Sequence, residues 1–188
     1  MIKEKRVKSL LFIFMICSIF LSAAHEDEYG WWIRARYVDG FGSNHGWHDV
    51  DNAEGDDPYP GDYAWKYINV DTYGRLLKAY DFEQWIPSRP IIGIVVFCKI
   101  KVVGATPQNS VNVQLRVYDG SKVIAEQTDL HQWEDEYERW IQIHPPTPPG
   151  GWTKEYIDSL QLWVGAKNRS DVYLYVYNFG IFVAHEWY

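Results

Sequence analysis

The densest run of chemically active side chains in the sequence is acidic and lies between Trp47 and Asp62. Its predicted metal ligands are Asp49, Asp51, Asn52, Glu54, Asp56 and Asp57. Carboxylates this close repel one another unless water or a cation separates them, and Ca²⁺ takes about six to eight such oxygens. The spacing departs from an EF-hand, because Ala53 stands where a third ligand belongs. The sequence therefore predicts Ca²⁺ as a cofactor, with a solvated acidic loop as the alternative.

Aromatic side chains are the second group that could bind a ligand, since the chain contains 10 Trp and 14 Tyr. Strand alternation near the C-terminus predicts one face of Tyr173, Tyr175, Tyr177 and Phe179 and an opposite face of Val172, Leu174, Val176 and Asn178. An exposed ring can hold the apolar face of a sugar while nearby polar groups bind its hydroxyls. Tyr173, Tyr175 and Tyr177 are therefore the predicted ligand-binding residues. The alternatives are a second side of the core and a subunit contact.

No residue pattern predicts catalysis, so we expect a protein that is not an enzyme. The stretch Trp133 to Glu138 supplies carboxylates, but glycoside hydrolysis needs two of them facing each other across a sugar, and no second cluster is placed to do this. Cys98 lies in an apolar run with no His close in sequence, which predicts a small buried hydrophobe. Asn168 begins the sequon Asn168-Arg169-Ser170 and is the predicted glycosylation site, in a predicted loop.

The first 24 residues are typical of an export signal. Lys3, Lys5, Arg6 and Lys8 precede an apolar run from Leu10 to Leu21, and Ser22 and Ala24 supply the small residues that signal peptidase requires. We predict cleavage after Ala24, a secreted or cell-surface location, and one domain over residues 25–188 with no membrane span. An uncleaved anchor is the alternative.

The charge of the chain argues against nucleic acid as a partner. The full sequence has 18 basic and 25 acidic side chains, for a formal net charge of −7. Removing residues 1–24 takes away four basic side chains and one acidic side chain, which leaves a net charge of −10. Nucleic-acid binding needs a basic face, so this acidic balance excludes it as the expected function.

The residues that must position these groups are strongly biased towards β-strands. Val111 to Tyr118 alternates apolar and polar residues, and the Asp119-Gly120 dipeptide that follows predicts a hairpin turn. Further predicted strands are 31–38, 63–70, 75–82, 90–103, 122–127, 137–144, 160–164 and 171–183, with one helical turn at 153–159. Short strands separated by turn signals predict an all-β fold, a single antiparallel β-sandwich of the jelly-roll type.

Several stretches resemble the galactose-binding-domain-like jelly rolls of secreted microbial and viral-particle proteins. They are Trp47 to Asp57, Phe82 through Ile86-Pro87 into Pro90 to Val96, Val113 to Gly120, and Trp152 to Val164 followed by Val172 to Val176. The resemblance implies five- and three-stranded antiparallel layers and a loop that often holds a structural calcium. Many members of that family bind glycans and others only assemble, so the fold alone does not decide the function.

Two functions from different classes fit these observations. The first is a structural subunit of an extracellular filament or coat, whose partner would be further copies of itself. It rests on the aromatic strand Trp31 to Val38, which can pair in its own sheet or add to a neighbour. The alternative is a lectin-like module that binds glycans. The sequence favours the structural subunit, because an isolated carbohydrate module binds weakly unless it gains avidity.

Overall fold

The computed structural model describes residues 26–27, 30–40, 46–53, 63–68, 77–82, 89–131, 138–168 and 172–186. Its strands are β1 (Glu26–Asp27), β2 (Gly30–Gly40), β3 (Ala64–Ile68), β4 (Leu77–Phe82), β5 (Ile91–Val103), β6 (Val111–Tyr118), β7 (Val123–His131), β8 (Arg139–Ile143), β9 (Gln161–Asn168) and β10 (Val172–His185). A 3-10 helix spans Val50–Ala53, and helix α1 spans Lys154–Asp158. The predicted signal peptide, residues 1–24, lies outside the described residues.

All strand pairs are antiparallel and form two layers, which we call the front and rear sheets. The rear sheet runs β7-β6-β9-β4-β2. The front sheet contains β8, β5 and β10, and the other edge of β10 pairs with β3 at one end and with the first half of β2 at the other. Residues 30–34 of β2 pair with β10, and residues 35–40 pair with β4, so this strand passes from one sheet to the other. The predicted antiparallel sandwich is confirmed.

Alternating apolar residues fill the space between the sheets. On β6 the side chains of Val111, Val113, Leu115 and Val117 are fully buried, as its period-2 pattern predicts. Helix α1 closes one end of this core through buried Ile157. Its start is fixed by Thr153, whose hydroxyl accepts the backbone N–H of Tyr156 at 3.1 Å. Within the described residues, no helix is long and apolar enough to span a membrane.

Cys98 is a structural residue rather than a reactive one. Cys98 is fully buried on β5, and burial raises the pKa of its thiol well above the ordinary value, which keeps it protonated.

The aromatic strand on which the structural-subunit prediction rested is β2, which pairs with β10 and β4 of its own chain. Strand donation to a neighbour would require this strand to leave both sheets.

A β-bulge in β10 corrects one sequence prediction. Val176 pairs with Ile100 and Asn178 pairs with Lys99, so Tyr177 is an extra residue in the ladder. The alternation shifts there by one position. Phe179, predicted to share the tyrosine face, is therefore buried in the core, and the prediction that Asn178 shares the aliphatic face was wrong.

The β6–β7 hairpin confirms the predicted Asp119-Gly120 turn and depends on one carboxylate. The Asp119 Oδ1 atom accepts the backbone N–H groups of Ser121 and Lys122, each at 3.0 Å, and the Ser121 hydroxyl at 2.8 Å. These hydrogen bonds, above all the one from Lys122, lower the pKa of Asp119 from its ordinary value. Gly120 follows at φ 90°, a conformation that glycine adopts without strain.

We expect this turn to loosen in acid. Because the pKa of Asp119 is depressed in the folded protein, its contribution is complete above the ordinary carboxyl pKa and is lost as the pH falls through the folded value. The NMR shift of the Lys122 amide should report a midpoint below that of a free Asp. Asp119→Asn serves as the control, because it should remove this titration. A midpoint at or above the ordinary value would contradict the prediction.

Candidate functional site

Four aromatic rings lie on the outer surface of the rear sheet, which we call the rear aromatic face: Tyr37, Tyr80, Tyr118 and Trp163. They point outward because each neighbours a core residue in its strand. Tyr37 and Tyr80 are cross-strand partners with ring centroids 5.7 Å apart, and Tyr37 is 50% exposed. Tyr118 and Trp163 lie 4.8 Å apart with their planes at 33°. Two pairs of partly exposed rings therefore stand on one surface.

A row of polar side chains crosses the same surface in register. Asp39 pairs with Lys78, Lys78 with Trp163, Trp163 with Arg116, and Arg116 with Glu126. The row spans all five strands at the usual spacing of about 4.8 Å. The two cationic side chains flank Trp163 and the two carboxylates lie at the ends of the row, where Arg116 Nε lies 3.7 Å from Glu126 Oε2. The four charged side chains of the row sum to zero.

Several of the polar groups on the rear aromatic face are held in place by neighbours. The Tyr80 hydroxyl donates to Asp39 Oδ2 at 2.7 Å, and Lys78 Nζ lies 4.3 Å from the centroid of the Tyr80 ring. The Trp163 Nε1–H group donates to Gln161 Oε1 at 3.2 Å. Such contacts fix the orientation of both the rings and the polar groups before any ligand arrives.

The predicted ligand-binding residues Tyr173, Tyr175 and Tyr177 lie on the opposite side of the molecule. They occupy the outer surface of the front sheet beside three aromatic residues that the sequence analysis did not single out. Together the set is the front aromatic face: Tyr63, Trp65, Tyr67, Tyr173, Tyr175 and Tyr177. Tyr67 pairs with Tyr173 and Trp65 with Tyr175 across the β3–β10 ladder, and Tyr173 is 39% exposed.

The front rings contact one another in one continuous set, whereas the rear rings form two pairs. Tyr63 meets Tyr175 edge-on at 4.8 Å and Tyr177 at 5.5 Å. Burial, then the nearby Glu138 carboxylate, raises the pKa of Tyr177 to about 12, so its hydroxyl stays protonated and can donate a hydrogen bond at neutral pH. Lys99, on the neighbouring strand β5, forms an ion pair with Glu138, and its Nζ lies 5.3 Å from the Tyr177 ring.

The acidic loop is only partly within the described residues. Asp49, Asp51 and Asn52 lie at the 3-10 helix, whereas Glu54, Asp56 and Asp57 fall outside the described residues. Asp49 Oδ2 accepts the Trp65 Nε1–H group at 3.2 Å, and His48 stacks on the Trp65 ring at 4.1 Å. No group of three metal-binding side chains forms within the described parts of the chain. The described half thus positions Trp65, and the calcium site stays a prediction.

The predicted glycosylation site lies in a different setting from the one expected. Asn168 was placed in a loop, but it is the last residue of β9 and pairs with Val111. Arg169 and Ser170, which complete the sequon, lie outside the described residues. The modification itself stays a prediction.

Comparisons with known proteins give no sequence relative. No family matches the chain, and no curated protein matches it. Among solved structures it is similar to a xylan-binding module, CBM15, at 13% identity and TM-score 0.44 over 81% of this chain and 99% of that one. It is also similar to TmCBM61, solved in complex with beta-1,4-galactotriose, at 12% identity and TM-score 0.42 over 86% and 99%. The CBM22-1 xylan-binding domain from Paenibacillus barcinonensis Xyn10C matches at 12% identity and TM-score 0.38 over 86% and 100%.

Proposed function

We propose that this protein is a non-catalytic carbohydrate-binding module that holds a glycan chain on the rear aromatic face. The observation that carries the proposal is the row from Asp39 through Lys78 and Trp163 to Arg116, which places an aromatic ring between fixed polar side chains. Saccharides present an apolar ring face and a rim of hydroxyls, and a site that recognises them needs both kinds of partner side by side.

The rings supply the apolar part of this recognition. Tyr37, Tyr80, Tyr118 and Trp163 come from four different strands, so a chain lying across the strands would meet one ring after another. Tyr80 and Tyr118 lie on strands separated only by β9, about 9.6 Å apart at the usual strand spacing. Aromatic contacts of this kind add large apolar area at a low cost in side-chain entropy.

The polar row supplies direction and predicts a neutral ligand. Asp39 accepts, while Lys78 and Arg116 donate, which is the mixture of donors and acceptors that hydroxyl groups can match. Because these side chains and Glu126 together carry no net charge, the row offers no long-range attraction to an acidic or basic ligand. Neutral polysaccharides are therefore the proposed class of ligand for the rear aromatic face.

Removing the central ring should abolish this binding. Trp163→Ala is expected to weaken affinity by at least about 30-fold, corresponding to about 2 kcal/mol, as for other central aromatic contacts. The measurement is affinity gel electrophoresis in gels that contain soluble xylan, galactan, xyloglucan or mixed-linkage β-glucan. Trp163→Phe keeps a stacking ring and should retain most of the retardation seen with the unaltered protein.

A matched variant on the other sheet completes the test. Tyr173→Ala removes a partly exposed ring from the front aromatic face and should leave retardation by the neutral polysaccharides unchanged. The proposal fails if no neutral polysaccharide retards the unaltered protein. It also fails if the folded Trp163→Ala variant is retarded as strongly as the unaltered protein. Circular dichroism confirms that each variant is folded.

A further inference from the structure

We propose that the front aromatic face is a second, independent glycan-binding surface, and that its ligands are acidic polysaccharides whose sugars carry carboxylates. This goes beyond the proposed function, because it concerns the opposite sheet and a different ligand class. The protein would then hold two kinds of polysaccharide at once, one on each side of the sandwich.

The geometry of the face is that of a two-row platform. Outward side chains along one strand recur about every 6.8 Å, and neighbouring strands lie about 4.8 Å apart. β3 contributes Trp65 and Tyr67, and Tyr63 directly precedes it; β10 contributes Tyr173 and Tyr175 beside them, with Tyr177 at the bulge. Tyr173 and Tyr175 stack at 6.3 Å with their planes at 27°. The rings thus extend along the strands of the front sheet, whereas the row on the rear sheet runs across its strands.

Two lysine side chains lie beside this platform on the outer surface of the front sheet. Strand β5 lies next to β10 and places Lys99 opposite Asn178 and Lys101 opposite Tyr175. Lys99 is paired with Glu138, whereas Lys101 is half-buried and its ammonium group makes no hydrogen bond or ion pair to another described residue. In a chain with a formal net charge of −7, an ammonium group beside exposed rings is a local exception to the overall charge.

A uronic acid matches both features of the surface. Its pyranose ring has an apolar face that can rest on Tyr173 or Tyr175, while its carboxylate projects from the ring edge towards the neighbouring strand, where Lys101 lies. The local position of the Lys101 ammonium group beside the Tyr175 ring therefore selects an acidic saccharide as the occupant.

The test uses affinity gel electrophoresis with polygalacturonate, and with the same polymer after methyl esterification, which masks its carboxylates. The unaltered protein should be retarded by the first polymer and about fivefold less by the second, and added NaCl should weaken the first interaction. Lys101→Gln should weaken polygalacturonate binding about fivefold, and Tyr173→Ala about tenfold. Lys122→Gln, an exposed lysine in the β6–β7 hairpin, is the charge-matched control and should change nothing.

The two binding proposals fail in different ways. If Trp163→Ala loses the neutral polysaccharides but keeps polygalacturonate, and Lys101→Gln does the reverse, both surfaces bind independently. Polygalacturonate binding that survives in folded Lys101→Gln and Tyr173→Ala overturns the front-face proposal and leaves the rear-face function standing. Equal binding of the esterified and unesterified polymers overturns it as well. Loss of neutral binding alone in Tyr173→Ala would move the proposed neutral site to the front sheet and remove the second site.

Discussion

Replacing Phe179 by Ala should destabilise the protein by about 3–5 kcal/mol, the usual effect of removing a large aromatic side chain from a core. Phe179 is fully buried between the sheets and belongs to the main hydrophobic core. It follows the bulge at Tyr177, where the alternation of β10 shifts by one residue. Truncation would leave a cavity that the surrounding strands of two paired sheets cannot close. Urea unfolding monitored by circular dichroism measures the loss.

Tyr173→Ala is the matched control for this prediction, because strict alternation would put both residues on one face of β10. Tyr173 is 39% exposed and its ring lies against those of Trp65 and Tyr67 on the outer surface, so we expect a loss of about 1 kcal/mol. A loss as large for Tyr173→Ala as for Phe179→Ala would show that the two side chains share one environment. The assignment of the bulge to Tyr177 would then be wrong.

The strands themselves could be predicted from the sequence because their signals are local. The strand Val111 to Tyr118 was predicted with the bounds that β6 has, since its alternation is strict and a turn dipeptide follows at once. Helix α1 was predicted from a single capping residue, Thr153, and the structure confirms that cap. The antiparallel sandwich follows from many short strands with apolar inner faces.

The bulge in β10 could not be predicted in the same way. Nothing in the residues around Tyr177 requires an extra residue, because a bulge is set by how two distant strands pair over their full length. β10 must stay in register with β5 while its other edge pairs with β3 at one end and with β2 at the other. Alternation therefore gave the correct face for Tyr173 and Tyr175 and the wrong face for Phe179.

The rear aromatic face was missed for a related reason. Tyr37, Tyr80, Tyr118 and Trp163 are each separated by about 40 residues, and only the order β6-β9-β4-β2 brings them together. Each strand alone shows a single outward ring, which is an ordinary feature of a sandwich. The signal that could have found them is the coincidence of outward rings on four strands of one sheet, and this requires the strand order.

The carboxylates of the acidic loop, in contrast, were predicted to form one site because they lie close together in sequence. Such proximity makes a metal site attractive, but adjacent residues of a turn point in different directions. Asp49 instead accepts the indole N–H of Trp65, so this carboxylate orients a ring of the front aromatic face. A contact of this kind links a loop to a strand and has no signature in either segment alone.

The two aromatic faces follow from the same sandwich, and charge distinguishes them. Both sheets direct mainly aliphatic side chains inward, and the rings of the two aromatic faces point outward, whereas Trp47 and Trp152 are buried in the core. On the rear sheet the polar row is balanced. On the front sheet the Glu138 carboxylate pairs with Lys99 and the Asp49 carboxylate accepts from Trp65, whereas the Lys101 ammonium group forms no ion pair with a described residue. Similar rings combined with different charges predict different glycans for the two sides.

The front sheet also contains a glycine that its aromatic packing requires. A Cβ atom at Gly180 would overlap the ring of Phe97, which lies on the outer surface of β5. That ring is only 8% exposed and is held between Trp32, at 5.0 Å, and Trp140, at 5.1 Å. Because both neighbours confine it, Phe97 cannot rotate away without disturbing the contacts of the whole cluster.

Gly180→Ala should therefore lower the free energy of unfolding by about 1–3 kcal/mol, as overpacked substitutions do. Gly93 is the matched control, since it lies on the same face of the front sheet, opposite Ala184, and a Cβ there meets nothing within 4 Å. Gly93→Ala should leave stability unchanged or raise it by up to about 1 kcal/mol, because it restricts the unfolded chain. Urea unfolding of both variants decides the matter, and equal effects at the two positions would contradict the proposed confinement of Phe97.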